Sequence, residues 1–495
     1  MANKYSNTEN KSITVILILS LLSIYGLIII SSSIGVFGDL YYNNYGSLTL
    51  PSIFLFILIS FFSSFKEKYY FLFLVFILLA FPSPIDDIFP SVRFSNIDDT
   101  NFSVFPLFSR IDLFLILGIL IKLGKTGFKI PQLTLPLFHK IFILLVIPIF
   151  YLNLVFSEDL LDINLLLSHT FHIRYYILTI LLLSLYDVNK YSKELVLSFV
   201  ISVAFLTLEA YVNTQIKGLD RLTSGSLSLN TFANISASIT LFFLYLRKKR
   251  KTSLKLTILI LVLFLIIIIG SGTRAAFLSF VISLFILAVI ESQKKFVVNL
   301  LKTFFAASFV FYAYFYASNN NIIPQRYSYN YISKKINIDL GETSLNKIFR
   351  IKRSWETNSL ITRLDLFESS LNMIFENPVL GIGPGRWNRY KNQYSKNQKI
   401  GKVLLDTHND YLALLSQYGI ILGFVISYLI FFYPRNLFKS LAKNNSPLKY
   451  LYVIPFSMGI SAFSNSGFFK HQVAAILILC LVILTKFHND KNEYI

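Results

Sequence analysis

Apolar runs long enough to cross a lipid bilayer recur along most of this chain and leave room for little else. ITVILILSLLSIYGLIII, LKLTILILVLFLIIIIG and AAFLSFVISLFILAVI each approach or exceed the roughly 20 apolar residues needed to cover about 30 Å of hydrocarbon. They read as membrane spans rather than core helices. The composition points the same way: 54% of the residues are apolar and only 15% are charged, a balance far from that of soluble domains.

Such runs sit at about 12–31, 48–65, 69–83, 104–122, 139–157, 172–186, 194–212, 229–246, 253–270, 274–291, 296–317, 419–434, 449–465 and 468–486. That makes about 14 candidate spans, with the weakest signal in the third and sixth. The first run lacks a small-residue cleavage pattern and is followed by many more, so it reads as an uncleaved first helix. The expected fold is an all-α polytopic membrane protein of about 12–14 transmembrane helices, with one long extracytoplasmic loop carrying short helices. Its regions are N-terminal spans in 1–225, spans with a Ser-Gly-Thr-Arg turn in 226–317, the long loop in 318–418, and C-terminal spans in 419–495.

A formal charge of +20 would suit a nucleic-acid partner. Lys and Arg, however, sit in short clusters between spans and in the long loop, not on a basic soluble domain, so nucleic acid is set aside. The single cysteine, Cys480, lies within the last apolar run, which excludes an intramolecular disulfide framework and metal ligation by cysteine.

Orientation follows from the same clusters. RKKRK at 247–251, Lys294 with Lys295, Lys66 with Lys68, Lys122 with Lys125 and Lys129, and Lys439 with Lys443 fall on one side if the spans alternate. That side is read as the cytoplasm, with both termini on it. The opposite loops, 32–47, 84–102 and the SEDLLD segment at 157–162, are neutral or acidic. The SGTR turn at 271–274, the HIR segment at 172–174 and all of 318–418 then face away from the cytoplasm and can meet one another. The basic residues of the long loop do not overturn this, because segments of that length translocate largely regardless of charge.

In the loop, Leu364, Phe367, Leu371 and Ile374 make one apolar stripe on a short helix that Thr362 caps and Asn377-Pro378 stops. The helix is expected on the membrane surface or against the spans. Arg363 falls in its first turn, where a cation opposes the helix dipole, so helix stability does not explain it. GIGPG at 381–385 reads as a tight turn; as the alternative, an anion-binding nest, it lacks the strand and helix that frame phosphate loops. Arg386 follows at once.

His408 and Asp410 lie just before the next span. A histidine there is either a cap or surface residue, or a general base with a free pKa of about 6.5; the company of several arginines favours the base. Arg274 closes the SGTR turn between two very apolar spans, and Arg174 starts another. Arginine at a bilayer edge is costly and usually paired or functional, with snorkelling as the alternative. Arg110 and Asp112 read as a structural pair. A planar guanidinium fork binds phosphate oxygens bidentately and stays charged. Several outward arginines beside one histidine, with no carboxylate cluster of metal-ligand type, suggest a lipid diphosphate handled without metal or cofactor.

These pieces together resemble the O-antigen ligase and O-antigen polymerase superfamily of bacterial polytopic glycosyltransferases. The resemblance rests on GSGTRAAFLSF at 270–280, on RLDLFESSLNMIFENPVLGIGPGRW, and on HNDYLALLSQYGIILG, within about residues 226–435. It implies an enzyme of the bacterial inner membrane that takes a glycan from undecaprenyl diphosphate on the outer face and joins it to a hydroxyl, by polymerisation or by a ligase-like transfer. Acceptors in the family are lipid A core, the growing lipid-linked chain or a protein hydroxyl. Arg274 would carry over as a diphosphate-binding arginine and His408 as the histidine of the catalytic loop. Arg174 would be a second diphosphate arginine, and Arg363 and Arg386 match the loop pattern. The competing reading is a flippase or exporter of lipid-linked oligosaccharide. A transporter keeps its charges near the midplane on broken helices, whereas here they gather at one face and in one loop.

Overall fold

The computed structural model describes residues 46–81, 91–95, 102–106, 109–127, 152, 156, 171–217, 222, 227–291, 359–394, 407–440, 446–465 and 467–489. The expected spans at 12–31 and 296–317, nearly all of 139–157, and the loop stretches 318–358 and 395–406 lie outside them. In hydrocarbon a backbone must satisfy its own polar groups, which leaves helices as the open-ended solution for runs like these.

The described chain is helical. It runs through α1 (Gly46–Phe65), α2 (Glu67–Val75), α3 (Arg110–Lys125), α4 (Phe171–Leu185), α5 (Ser192–Lys217), α6 (Leu229–Lys248), α7 (Leu254–Ser271) and α8 (Arg274–Glu291). After the undescribed stretch come α9 (Ser359–Glu376), α10 (Trp387–Tyr394), α11 (Asp410–Tyr418), α12 (Ile420–Ser427), α13 (Tyr433–Ser440), α14 (Val453–Ser461) and α15 (His471–Asn489). Five-residue π turns extend α2 through Phe76–Ala80 and join α12 to α13 through Tyr428–Phe432. Among the described residues, four helices are long and apolar enough to cross a membrane: Ser192–Tyr211, Leu229–Lys248, Leu254–Ser271 and Ile420–Leu437. The chain is an all-α polytopic membrane protein.

One expected span changes its start. Residues 102–106 form strand β2, which pairs antiparallel with β1 (Ser91–Ser95), Val92 standing opposite Phe105. Helix α3 begins only after Ser109, whose side chain and that of Asp112 form a reciprocal capping box. The helix start is therefore fixed by two satisfied N–H donors rather than by hydropathy.

Helix α6 is the axis of the bundle and packs against α7, α8 and α14. Its buried Thr231, Asn234, Ser236, Ser238 and Thr240 are small enough to let neighbouring backbones approach. The hydroxyls of Ser236, Ser238 and Thr240 are absorbed by their own helix, and Asn234 bonds across to α8. Ser236 donates to Phe232 O at 2.8 Å and Thr240 to Ser236 O at 2.8 Å, while Ser279 of α8 donates to Asn234 Oδ1 at 3.1 Å. Helix α7 does the opposite and turns Ile258, Leu259, Val262 and Ile266 outward, the surface expected of a lipid-facing helix.

The end of the bundle where α3 and α4 finish is tied by charge. Lys122 Nζ lies 2.6 Å from Glu67 Oε1, Tyr191 donates to Glu67 Oε2 at 2.5 Å, and Lys486 Nζ donates to the carbonyls of Leu183 (2.5 Å) and Tyr186 (2.8 Å). The last contact places a cation on the exposed carbonyls at the C-terminus of α4, where the dipole favours it. Next to this, the Tyr70 ring stacks on Phe114 with centroids 4.7 Å apart. It fits there because Gly118 has no side chain: a Cβ at that position would collide with the ring.

Two outcomes follow for the protein in detergent. Gly118→Val must displace Tyr70, and should lower the thermal midpoint by an amount equivalent to about 1–3 kcal/mol. Burial would raise the Glu67 carboxyl, but hydrogen bonds from Lys122 and Tyr191 outweigh it and hold Glu67 below its usual 4.5. A lowered folded value stabilises above the unfolded one and loses that contribution as pH falls through the folded value. The gap in thermal midpoint between wild type and Glu67→Gln should thus be full at neutral pH and shrink on acidification below 4.5.

Candidate active site

His408 is one of two non-glycine residues with positive φ among those described, at 52°; the other is Arg250 at 56°. Arg250 has a local reason. It follows the end of α6, and Lys251 N bonds back to Leu246 O at 2.9 Å, the pattern of a Schellman helix stop. His408 ends no helix. A side chain held in the left-handed region costs about 1–3 kcal/mol and persists where surrounding contacts over-determine it.

Those contacts flank it on both sides. Thr407 Oγ1 donates to Asn409 O at 2.6 Å and accepts from Asn409 N at 3.1 Å, bridging across His408. Asn409 caps α11 by accepting from Leu412 N at 3.0 Å, and its Nδ2 donates to Phe463 O at 3.2 Å. Asp410 is buried at the first turn of α11 and donates its own N–H to Ala462 O at 3.0 Å. Its carboxylate accepts Gly467 N at 2.9 Å and Phe468 N at 3.1 Å. The His-Asn-Asp run is therefore clamped to the loop between α14 and α15, and the half-buried His408 imidazole is presented from a fixed backbone.

The clamp extends to the start of α4. Phe468 O accepts from His172 Nε2 at 2.9 Å, which makes that nitrogen the N–H of the ring. Two residues on, Arg174 donates through Nε and Nη2 to Asp112 at 3.0 and 3.3 Å. Asp112 also accepts from Ser109 Oγ at 3.0 Å. Ser109 has one hydroxyl hydrogen, so in its 2.6 Å contact with Tyr175 the phenol donates, and in the 2.7 Å contact between Tyr175 and His471 the imidazole Nδ1 donates. A chain of donors thus runs from His471 through Tyr175 and Ser109 to Asp112, where it meets Arg174. The expected pairing of Asp112 with Arg110 gives way: the contacts described for Asp112 go to Arg174 and Ser109.

GIGPG is a turn, and its amides are spent on the protein. Gly381, Gly383 and Gly385 all have positive φ, at 67°, 96° and 78°. Ile382 N donates to Ser416 O at 2.9 Å, Gly383 N to Gln417 O at 3.1 Å, and Gly385 N to Gln417 Oε1 at 2.6 Å. Arg386 stands at the exit of this turn, its Nη1 donating to Ile382 O at 3.5 Å. Beyond it, Trp387 packs with Leu366, Met373 and Ile382 and donates Nε1 to Ser370 Oγ at 3.0 Å. This small core joins α9 and α10 into one unit against α11. Arg363 lies on α9, which begins at Ser359, so Thr362 is inside the helix rather than at its cap. Asn377-Pro378 does end it, after Glu376.

Arg274 is exposed at the first position of α8, after Gly272 closes α7 in the left-handed region at φ 61°. Helix α8 packs on α14, whose end supplies the Ala462 carbonyl that Asp410 N–H reaches. The elements bearing Arg274, Arg174, Arg363 and Arg386 thus each contact the clamp around His408 directly or through one neighbour. Sequence reading missed Ser109, Tyr175 and His471; the Ser-x-x-Asp spacing of Ser109 and Asp112 was the available signal, whereas His471 carried none.

No curated protein matches the chain. Residues 259–427 match the family model described as O-antigen ligase. That stretch opens within α7, takes in the Arg274 turn, the α9 helix, GIGPG and the His408 clamp, and closes at the end of α12. Over this stretch, about a third of its length, the chain is similar to the O-antigen ligase family.

Proposed function

We propose that this protein is an inverting, metal-independent glycosyltransferase that transfers or polymerises an undecaprenyl-diphosphate-linked surface glycan on the outer face of the bacterial inner membrane. The observation that carries the reading is the strained, multiply anchored backbone at His408, set within the segment that matches O-antigen ligase. Strain of this kind is retained where a side chain must be aimed.

In the proposed reaction the acceptor hydroxyl oxygen attacks the anomeric carbon from the side opposite the diphosphate. The hydroxyl proton passes to the His408 imidazole. The bond from the anomeric carbon to the diphosphate oxygen breaks, and the electron pair stays on the diphosphate. Arg274, Arg174, Arg363 and Arg386 are assigned to the charge that grows there, a task for preorganised guanidinium groups. Asp112 sets the orientation of Arg174 by holding its Nε edge. The acceptor is a hydroxyl on lipid A core, on a growing lipid-linked glycan or on a related acceptor. The packing of the elements that carry these arginines around the His408 clamp supports an enzyme site over a transport path, since a transporter would distribute such groups through the midplane.

Arg274→Ala and His408→Ala should both abolish glycan joining in cells while the protein remains in the membrane fraction. In a reconstituted assay, His408→Ala should lower the rate by about 10²–10⁴-fold, the usual worth of a general base. Arg274→Lys should fail as well, because a point charge does not replace a bidentate fork; wild-type glycan in these variants overturns the assignment. Deleting the gene separates the two modes of transfer. Glycans shortened to one repeat indicate a polymerase, and glycans retained on the lipid carrier indicate a ligase.

A further inference from the structure

Helix α9 has two apolar faces, and among the described residues only one of them packs into a core. Leu366 and Met373 point into the small core with Trp387. On the opposite side, Leu364, Leu371 and Phe375 recur at spacings of seven and four, which stacks them along one edge, and all three are exposed, Phe375 to 76%. The edge does not stop with the helix. Val379 follows it at 69% exposure, immediately before the turn whose backbone docks on the junction of α11 and α12. Across that junction stand Ile421 at 74% and Phe424 at 67%, on the outer surface of the membrane span Ile420–Leu437.

A water-facing loop helix would carry polar residues on the side away from its core. This one carries leucine and phenylalanine there, with the carboxylate of Glu368 at their margin, next to the exposed apolar side of a span. The join is hydrogen-bonded and closely packed: Ile420 N donates to Pro378 O at 2.8 Å, and the Gly419 backbone lies directly on Val379 O. The edge and the span surface therefore belong to one body.

We infer that the Leu364–Leu371–Phe375–Val379 edge of α9 is immersed in the acyl region of the leaflet on the His408 side, making the loop unit an in-plane membrane anchor. Amphipathic helices that lie in the interface bury their apolar side about 5–10 Å deep. The occupant is bulk lipid: continuity with a span surface argues for the same solvent on both, whereas a protein partner would require a boundary between them. The consequence is positional. Glu376, Arg386 and the His408 turn stand beside the helix's polar flanks and junction, so immersion of the edge sets them at headgroup depth, where a lipid-linked diphosphate lies. The inference concerns depth alone and stands whether or not the proposed transfer is correct.

The test uses the full chain in phosphatidylcholine vesicles. With Cys480 replaced by alanine, single cysteines are placed at Phe375, at Phe424 as the lipid-facing reference and at the exposed Arg389 of α10 as the reference away from the edge. Each is labelled with an environment-sensitive fluorophore. Vesicles containing lipids brominated in the acyl chain should quench the Phe375→Cys label as strongly as the Phe424→Cys label, and the Arg389→Cys label much less. Aqueous iodide should give the reverse order. Quenching of the Phe375→Cys label by iodide but not by brominated lipid would overturn the inference. So would protection from both quenchers, which would mean that another part of the chain or a second copy covers the edge. Size-exclusion profiles matching the unlabelled protein show that each variant is folded, and a Leu371→Cys label gives the same reading should the Phe375 variant be misfolded.

Discussion

A buried carboxylate with its lone pairs filled by backbone amides holds this end of the molecule together. Asp410 is taken out of water at the start of α11, the short helix that leads into a span, and burying an ionised group there is costly. The amides of Gly467 and Phe468 offset that cost, assisted by the dipole of α11. Because these amides belong to the loop entering α15, the carboxylate joins two stretches far apart in the chain. Phe468 then passes the connection to His172 and so to α4. Remove the carboxylate, and the backbone at His408 loses its tie to the loop entering α15 and keeps only those from Asn409 and the Asp410 N–H to the end of α14.

The second constraint is the economy of polar groups at the helix ends. Ser109, Asp112, Arg174, Tyr175 and His471 satisfy one another in a single chain of hydrogen bonds, as polar groups in a low-dielectric setting must. The network draws the starts of α3, α4 and α15 to one level. The opposite end has its own tie, from Glu67 to Lys122 and Tyr191. Between the two, the bundle relies on packing: Ser236, Ser238 and Thr240 of α6 turn back on their own helix, and the stacked Tyr70 ring uses the space left by Gly118.

Much of this was legible in the chain itself. Hydropathy located α1, α5, α6, α7 and α8 to within a few residues, because helices in lipid are dictated by length and apolarity alone. It placed the start of α3 too early, because a strand and a capping box, both local hydrogen-bonding effects, compete with an apolar run that continues through them. The apolar stripe on α9 was readable from Leu364 and Leu371, but not which side would meet protein. That choice fell to Trp387, which recruits Leu366 and Met373 instead. Glycine spacing gave the turn at 381–385, yet nothing in one sequence tells that Gln417 will consume its amides. The partner of Asp112 was missed for the same reason: Arg110 is its neighbour in the chain, and Arg174 only in space.

Gly381 and Gly419 meet back to back: a Cβ on the first would strike the Gln417 backbone, and one on the second would strike Val379 O. Both also need a left-handed or otherwise positive φ, at 67° and 80°. Two main chains touching without any side chain between them leave no compliant layer to absorb relative motion. The turn at 381–385 is therefore seated directly on the backbone from which the span Ile420–Leu437 starts, and a side chain at either glycine would push the two apart.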